Sequence, residues 1–231
     1  MNVVAVVPAR GGSKGFPRKN LARFDGRTLV ELAIAAGQEA ASVSHVAVST
    51  DDAEIAGVAR DAGASIIDRP DELAGDEVGA LPVIRHALEL LAESHAIDAI
   101  AYLQPTSPLR TAAHVDRTVA ELVSSGAEAA VTVVEVPHRF NPASLLQVDA
   151  DGVVHSATAS ETSLRRQDKP RFVARNGPAV LVVRATAIQA GELYPPHTVA
   201  VEMSALESVD VDTPEDLLLA EAILAMLRHT S

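Results

Sequence analysis

Short runs of β-branched and small apolar residues alternate along the chain with segments of helical period. Val3–Val7 is a five-residue apolar run and reads as a buried strand. Thr28 to Ala41 sets Leu29, Leu32, Ala33 and Ala36 on one helical face. Val46–Ser49 is the next strand, and Asp51 can cap a helix carrying Ile55, Val58, Ala59 and Ala62 that Gly63 stops. Ala64–Ile67 follows as a strand, then a helix with Ile84, Leu88 and Leu91 inward. Ala99–Leu103 and Ala129–Val136 are further strands, separated by a helix from Thr111 that buries Val115, Val119, Leu122 and Val123 and ends at Gly126. From Pro137 to about Arg175 the pattern breaks into polar and turn residues, with Asp149–Gly152 as a hairpin signal between Leu145–Val148 and Val153-Val154. Regular structure resumes at Ala179–Val183. A strand near Val209 and a helix from Pro214 to about Arg228 close the chain, the helix announced by Thr213 as cap, Pro214 at its first position and Glu215-Asp216 in its first turn.

This alternation predicts an α/β fold with a mostly parallel sheet and helices on both faces. Such sheets take ligands at the carboxyl ends of their strands. Residues 8–20, 49–52, 104–110 and 210–212 are therefore expected along one edge. The 231 residues correspond to roughly one and a half domains, a single α/β domain with an appendage. The net charge of −12 speaks against nucleic-acid or anionic-membrane partners, which need basic faces. No apolar run reaches membrane-spanning length, and the opening apolar run is too short for a secretion signal. With no cysteine, disulfides and thiol catalysis are excluded. The expectation is a soluble cytoplasmic protein.

Against this acidic background the first loop stands out. Five cations, Arg10, Lys14, Arg18, Lys19 and Arg23, fall close together, interleaved with Gly11, Gly12 and Gly15. Glycines let backbone N–H groups approach an anion, and the cations suit a di- or triphosphate. The spacing is neither that of a P-loop nor that of a dinucleotide fingerprint. Asp210 and Asp212 stand two apart and on a strand would point the same way, as a hard-cation pair requires. Asp212 alone would equally suit the N-terminus of the following helix. Asp51 and Asp52 read as helix caps and His86 as structural. No metalloprotease or hydrolase-elbow spacing is present.

Pro8-Ala9-Arg10-Gly11-Gly12-Ser13-Lys14-Gly15 followed by Pro17-Arg18-Lys19-Asn20 resembles the signature loop of the acylneuraminate cytidylyltransferases (CMP-sialic acid synthetases). Further matches follow in family order: Ser49-Thr50-Asp51, Arg69-Pro70, Leu103-Gln104-Pro105-Thr106-Ser107-Pro108-Leu109-Arg110, Arg166-Gln167, Arg175-Asn176-Gly177 and Val209-Asp210-Val211-Asp212-Thr213. The related Kdo cytidylyltransferases lack the Arg-Lys-Asn ending of the first loop, so the neuraminate branch is the nearer one.

The resemblance implies a Rossmann-like nucleotide-diphosphosugar transferase fold: residues 1–136 and 176–231 as the nucleotidyltransferase domain, 137–175 as a small dimerisation and substrate arm inserted in it, and a homodimer. It implies transfer of CMP from CTP to a 2-keto-3-deoxy sugar acid with Mg²⁺. Arg10, Ser13, Lys14 and Lys19 would contact the triphosphate, helped by the backbone of Ala9 and Gly11. Asn20 would close the nucleotide pocket and Arg69 face the cytosine. Gln104 and Asn176 would meet the sugar acid, Arg166 with Gln167 would hold its carboxylate, and Asp210 and Asp212 would hold the metal. Arg10, Lys19 and Asp212 would be the residues on which catalysis depends.

Three departures bear on the acceptor. Asn176-Gly177 continues into Pro178-Ala179-Val180-Leu181 where relatives carry an aromatic hydroxyl. Glu77-Val78-Gly79-Ala80 replaces a Ser/Thr-rich stretch, and His138-Arg139-Phe140-Asn141-Pro142 matches a His-His-Pro run only in part. CTP activation is thus better supported than sialic acid as acceptor. Another ulosonic acid, a phosphonate, or a nucleotide-binding non-enzyme on the same fold are the alternatives.

Overall fold

Val3 to Val7 are all fully buried, as a strand covered on both faces must be. Val3, Ala5 and Val7 enter one core and Val4 and Val6 the other, the two-residue period of a strand at the centre of a three-layer domain. The computed structural model describes residues 1–12, 15–157 and 170–230.

In chain order the elements are β1 (Val3–Pro8), the hairpin β2 (Arg23–Phe24) and β3 (Arg27–Thr28), α1 (Leu29–Gln38), β4 (Val43–Thr50), α2 (Ala53–Asp61) and β5 (Ser65–Asp68). They continue with α3 (Ala80–Ala92), β6 (Ala99–Tyr102), α4 (Ala112–Ser125), β7 (Ala129–Glu135), the hairpin β8 (Leu146–Val148) and β9 (Val154–Ser156), and β10 (Val173–Arg175). The last are β11 (Leu181–Arg184), α5 (Ala185–Ala190), β12 (Thr198–Glu202) and α6 (Pro214–Thr230).

One eight-stranded sheet runs β10-β7-β11-β6-β1-β4-β5, with β12 on the other side of β7. β1, β4, β5 and β6 are parallel, β12 is parallel to β7, and β11 is antiparallel to both β6 and β7. Six strands therefore point one way, and only β10 and β11 run against them. Helices α1, α2 and α4 cover one face, and α3 and α5 the other. The sequence expectation of a mostly parallel sheet with helices on both faces holds.

Local chemistry explains where elements start. Thr28 caps α1 through a reciprocal pair in which its Oγ1 accepts from the Glu31 N–H and the Glu31 carboxylate accepts from the Thr28 N–H. Thr28→Ala is expected to cost about 1 kcal/mol, seen as a lower urea midpoint at unchanged slope. Gly126 ends α4 at φ 67°, the left-handed stop that its sequence position predicts.

Several boundaries differ from the sequence reading. Asp52, not Asp51, caps α2, accepting from the N–H groups of Glu54 and Ile55 at 2.9 and 3.0 Å. Residues 173–175, read as part of the irregular stretch, add β10 to the main sheet. The strand expected near Val209 is absent. That segment makes one backbone bond to its neighbour, Val211 N–H to Thr106 C=O at 2.8 Å, before the α6 cap begins. The late strand is instead β12, an edge strand in which only Val201 is buried.

The strand pair β7/β11 carries an insertion that matters for the site. Arg175 faces Val133 and Leu181 faces Val131, so five residues, 176–180, stand opposite Thr132 alone. The bulge is fixed from inside: Thr132 Oγ1 donates to Asn176 Oδ1 at 2.8 Å and accepts from the Val180 N–H at 2.9 Å. The Gly177–Pro178 peptide is cis.

Candidate active site

The first loop leaves β1 along the edge formed by the strand ends. The Ala9 N–H donates to the Ser49 carbonyl at 3.0 Å and the Gly11 N–H to Asp51 Oδ1 at 3.0 Å, which binds the loop to the end of β4. A side chain at Gly11 would meet the Asp52 carboxylate at 2.5 Å, so only glycine fits there. Asn20 is buried and donates to the Arg10 carbonyl at 2.9 Å, holding the two ends of the loop together. Arg18 lies on the outer side, paired with Asp52 and Glu54. Its guanidinium holds the Asp52 carboxyl below the usual aspartate range.

From this loop Lys19 reaches across to the far end of the chain. Its ammonium lies 2.8 Å from Asp212 Oδ1, with the lysine side chain 15% exposed and the aspartate side chain 72%. Asp212 does not cap α6. Thr213 does, its Oγ1 accepting from the Asp216 N–H, while the Asp216 carboxylate reaches back to accept from the Asp212 and Thr213 N–H groups at 3.0 and 2.8 Å. The carboxylate of Asp212 is thereby left to face the loop. Asp210 differs from it: its Oδ1 is buried with no hydrogen-bond partner among the described residues. Burial raises the Asp210 pKa and the Asp212 charge adds to this, while Thr106 and Lys19 oppose it. The two aspartates share one neighbourhood although they do not lie on a strand.

Two cavities open beside this junction. The first, ≈ 290 Å³, is bordered by Arg10, Lys19, Asn20 and Arg69 and by the turn around Gly75. Arg10 is turned toward that turn, with Nη2 2.6 Å from Asp76 and Nη1 3.3 Å from the Ala74 carbonyl. Arg69 is buried at the end of β5, its Nε and Nη2 spent on Ser49 Oγ and carbonyl at 3.1 and 2.7 Å. That burial lowers its pKa. The second cavity, ≈ 620 Å³, is bordered by Arg175, Gly177, Pro178, Tyr194 and Asp210. Tyr102 and Gln104, at the end of β6, border both. Burial pushes the Tyr102 phenol up to about 12, so it stays neutral and can donate.

A buried arginine supports the wall between them. Arg110 donates through Nη1 to the carbonyls of Gln104 at 2.7 Å and Ala179 at 2.9 Å, tying the loop after β6 to the bulge. Its burial lowers its pKa to about 9. Gly177, at φ 119°, brings the bulge against Asp210: a Cβ there would lie 3.2 Å from Ser107 Oγ and 3.6 Å from Asp210 Cγ.

The structure thus gathers Ala9, Arg10, Gly11, Lys19, Asn20, Arg69, Gln104, Asp210 and Asp212 on one edge. Asn176 departs from its expected place against the acceptor. It is 4% exposed, and its amide is used on Thr132, Ala179 and Ser208, so it secures the bulge. Ser13, Lys14, Arg166 and Gln167 lie outside the described residues. Tyr102 and Tyr194 were not singled out from the sequence, and Arg110 and Arg175 stood only within matched motifs, with no role given to them. Nothing in a single basic or aromatic position announces that the fold will turn it toward a cavity.

A family model described as cytidylyltransferase matches residues 4–227. The chain belongs to the cytidylyltransferase family. The chain is 29% identical to the CMP-N,N'-diacetyllegionaminic acid synthase of Legionella pneumophila, over 98% of its own length and 97% of the relative's. It is 27% identical to the N-acylneuraminate cytidylyltransferase of Escherichia coli, over 96% of its own length but 52% of the relative's. It is 30% identical to N-acylneuraminate cytidylyltransferase A of Danio rerio, covering 95% of itself and 50% of that protein. The chain spans about half the length of these N-acylneuraminate cytidylyltransferases. Among solved structures, a CMP:2-keto-3-deoxy-manno-octonic acid synthetase complexed with CTP superposes with a TM-score of 0.73 at 18% identity, covering 98% of this chain and 100% of the other. A 4-diphosphocytidyl-2C-methyl-D-erythritol synthase from Anaerococcus prevotii superposes with a TM-score of 0.66 at 12% identity, covering 97% and 96%. The chain shares the fold of both.

Proposed function

We propose that the chain transfers CMP from CTP to a hydroxyl of a 2-keto-3-deoxy sugar acid, releasing pyrophosphate, in a Mg²⁺-dependent reaction. The observation that carries this reading is the Lys19–Asp212 contact, which joins the glycine-rich cationic loop to the C-terminal aspartates where two cavities adjoin. The activities for which the relatives are named, N-acylneuraminate and diacetyllegionaminate cytidylylation, support it.

The smaller cavity takes the nucleotide and the larger one the sugar acid. In-line displacement at the α-phosphate forms one O–P bond as the bond to pyrophosphate breaks, and it needs alignment and charge neutralisation more than covalent help. Arg10 and Lys19 border the nucleotide cavity and supply positive charge to the β- and γ-phosphates. The common wall at Tyr102 and Gln104 sets the approach of the acceptor to the nucleotide.

Asp210 and Asp212 suit a hard divalent cation. The unpartnered buried Oδ1 of Asp210 requires a cation or donor, and a lysine ammonium already rests on Asp212. One or two carboxylates with substrate phosphates are the usual Mg²⁺ ligand set, and the ion would neutralise charge on the transferring phosphoryl oxygens.

We further propose a homodimer in the cytoplasm, the compartment that supplies CTP. Leu146, Val148 and Val154 on the β8–β9 hairpin are exposed, and an isolated two-stranded hairpin needs a partner surface for stability. Sedimentation at micromolar concentration is expected to give twice the chain mass.

The deciding experiment measures pyrophosphate release from CTP with N-acetylneuraminate, diacetyllegionaminate and 2-keto-3-deoxy-manno-octonate as separate acceptors. Turnover with at least one of them, lost on chelation and restored by Mg²⁺, is expected. Calorimetry showing no CTP uptake, or no turnover with any acid, overturns the proposal.

A further inference from the structure

The charges around the two cavities are unequally matched. Arg10, Lys19 and Arg69, on the nucleotide side, already have partners: Asp76, Asp212 and the Ser49 carbonyl respectively. The acceptor cavity contains one described cation, Arg175, and one described carboxylate, Asp210. Among the described residues no carboxylate pairs with Arg175. Its contact is with an aromatic face, its Cζ lying 4.7 Å from the centre of the Tyr194 ring. A guanidinium lying over a ring keeps its N–H groups available at the rim, and their fork geometry matches a carboxylate.

Position reinforces the assignment. Arg175 is the last residue of β10, and Gly177, two residues on, abuts Asp210. The bulge that Thr132 and Asn176 fix thus fastens the arginine and the aspartate to one rigid segment. With the proposed ion at Asp210 committed to the phosphoryl oxygens, an acidic acceptor entering this cavity still needs a favourable charge of its own close by. The neutral and apolar groups that line the rest of the cavity, Pro178 and Leu181 among them, cannot supply it.

We infer that Arg175 is a specificity-determining residue that binds the anionic group of the acceptor from within the main sheet of the same chain. The inference rests on the proposed function of the acceptor cavity and goes beyond it in naming the residue and the charge it selects. It is separate from the capture by Arg166 that the family resemblance implies, since Arg175 is carried by β10.

The test compares Arg175→Gln and Arg175→Lys with wild type, using whichever of the three sugar acids gives the highest wild-type turnover. Arg175→Gln should raise the acceptor KM by roughly ten- to a hundredfold, the range for losing a charge-assisted hydrogen bond. Its kcat and its CTP affinity by calorimetry should stay within about threefold. Arg175→Lys should recover part of the loss, because it restores the charge without the fork. An unchanged acceptor KM, or a loss confined to kcat and CTP affinity, overturns the inference while leaving the proposed activity standing. Absence of wild-type turnover with all three acids overturns both, and the wild-type arm shows which has failed.

Discussion

Lys19→Ala is expected to lower CTP-dependent pyrophosphate release by about 10²- to 10³-fold, and Asp212→Ala is expected to do the same. That is the range for removing one preorganised charge from a developing anionic transition state. The two side chains touch at 2.8 Å, and in the proposed reaction both serve one triphosphate, Lys19 at the β- and γ-phosphates and Asp212 through the ion at the phosphoryl group transferred. The double variant should therefore be little worse than either single one, because residues that work as a unit are strongly non-additive. Stability should barely move. The aspartate is largely exposed and the pair is screened by water, so its contribution is at most about 1 kcal/mol. Initial-rate assays with a melting curve for each variant check both halves. Activity within a few-fold of wild type for either single variant contradicts the assigned roles.

Gly177→Ala should damage fold and function together. At φ 119° a side chain strains the backbone by about 1–3 kcal/mol, and the new Cβ would press on Ser107 Oγ at 3.2 Å. For a chain of this size the melting temperature should fall by about 2–10 °C. Relief of this strain and crowding is expected to shift the bulge relative to Ser107 and the adjoining Asp210, so turnover should drop at least about tenfold while CTP affinity changes little. Thermal melts, acceptor kinetics and CTP calorimetry separate these effects. An unchanged melting temperature would show that the bulge is more plastic than its hydrogen bonds indicate.

The strands buried on both faces were legible because burial writes an unbroken apolar run, as in Val3–Val7 and Ala99–Tyr102. The caps at Thr28 and Thr213 were legible because their chemistry is local. β10 and β12 were not. Val173–Arg175 is exposed, and Thr198–Glu202 lies along the sheet margin with only Val201 buried, so neither carries a strong apolar signal. The basic loop and the paired aspartates were visible as residue types, and the structure joins them at Lys19–Asp212. Their geometry was not visible, since Asp210 and Asp212 leave strand conformation and occupy different environments, one half-buried and one exposed. Asn176 is the instructive case. Side-chain amides serve equally well as ligand contacts or internal fasteners, and only the five-against-one register at Thr132 shows which this one is.

The short end of β6 has one more implication. Because Tyr102 and Gln104 form a party wall between the two chambers, neither chamber can be resized from that side without trespassing on the other. Changes that retune acceptor choice at low cost must come from the opposite flank, on the bulge and around Tyr194. Catalogues of sugar acids could then diverge there while the handling of the nucleotide is left undisturbed.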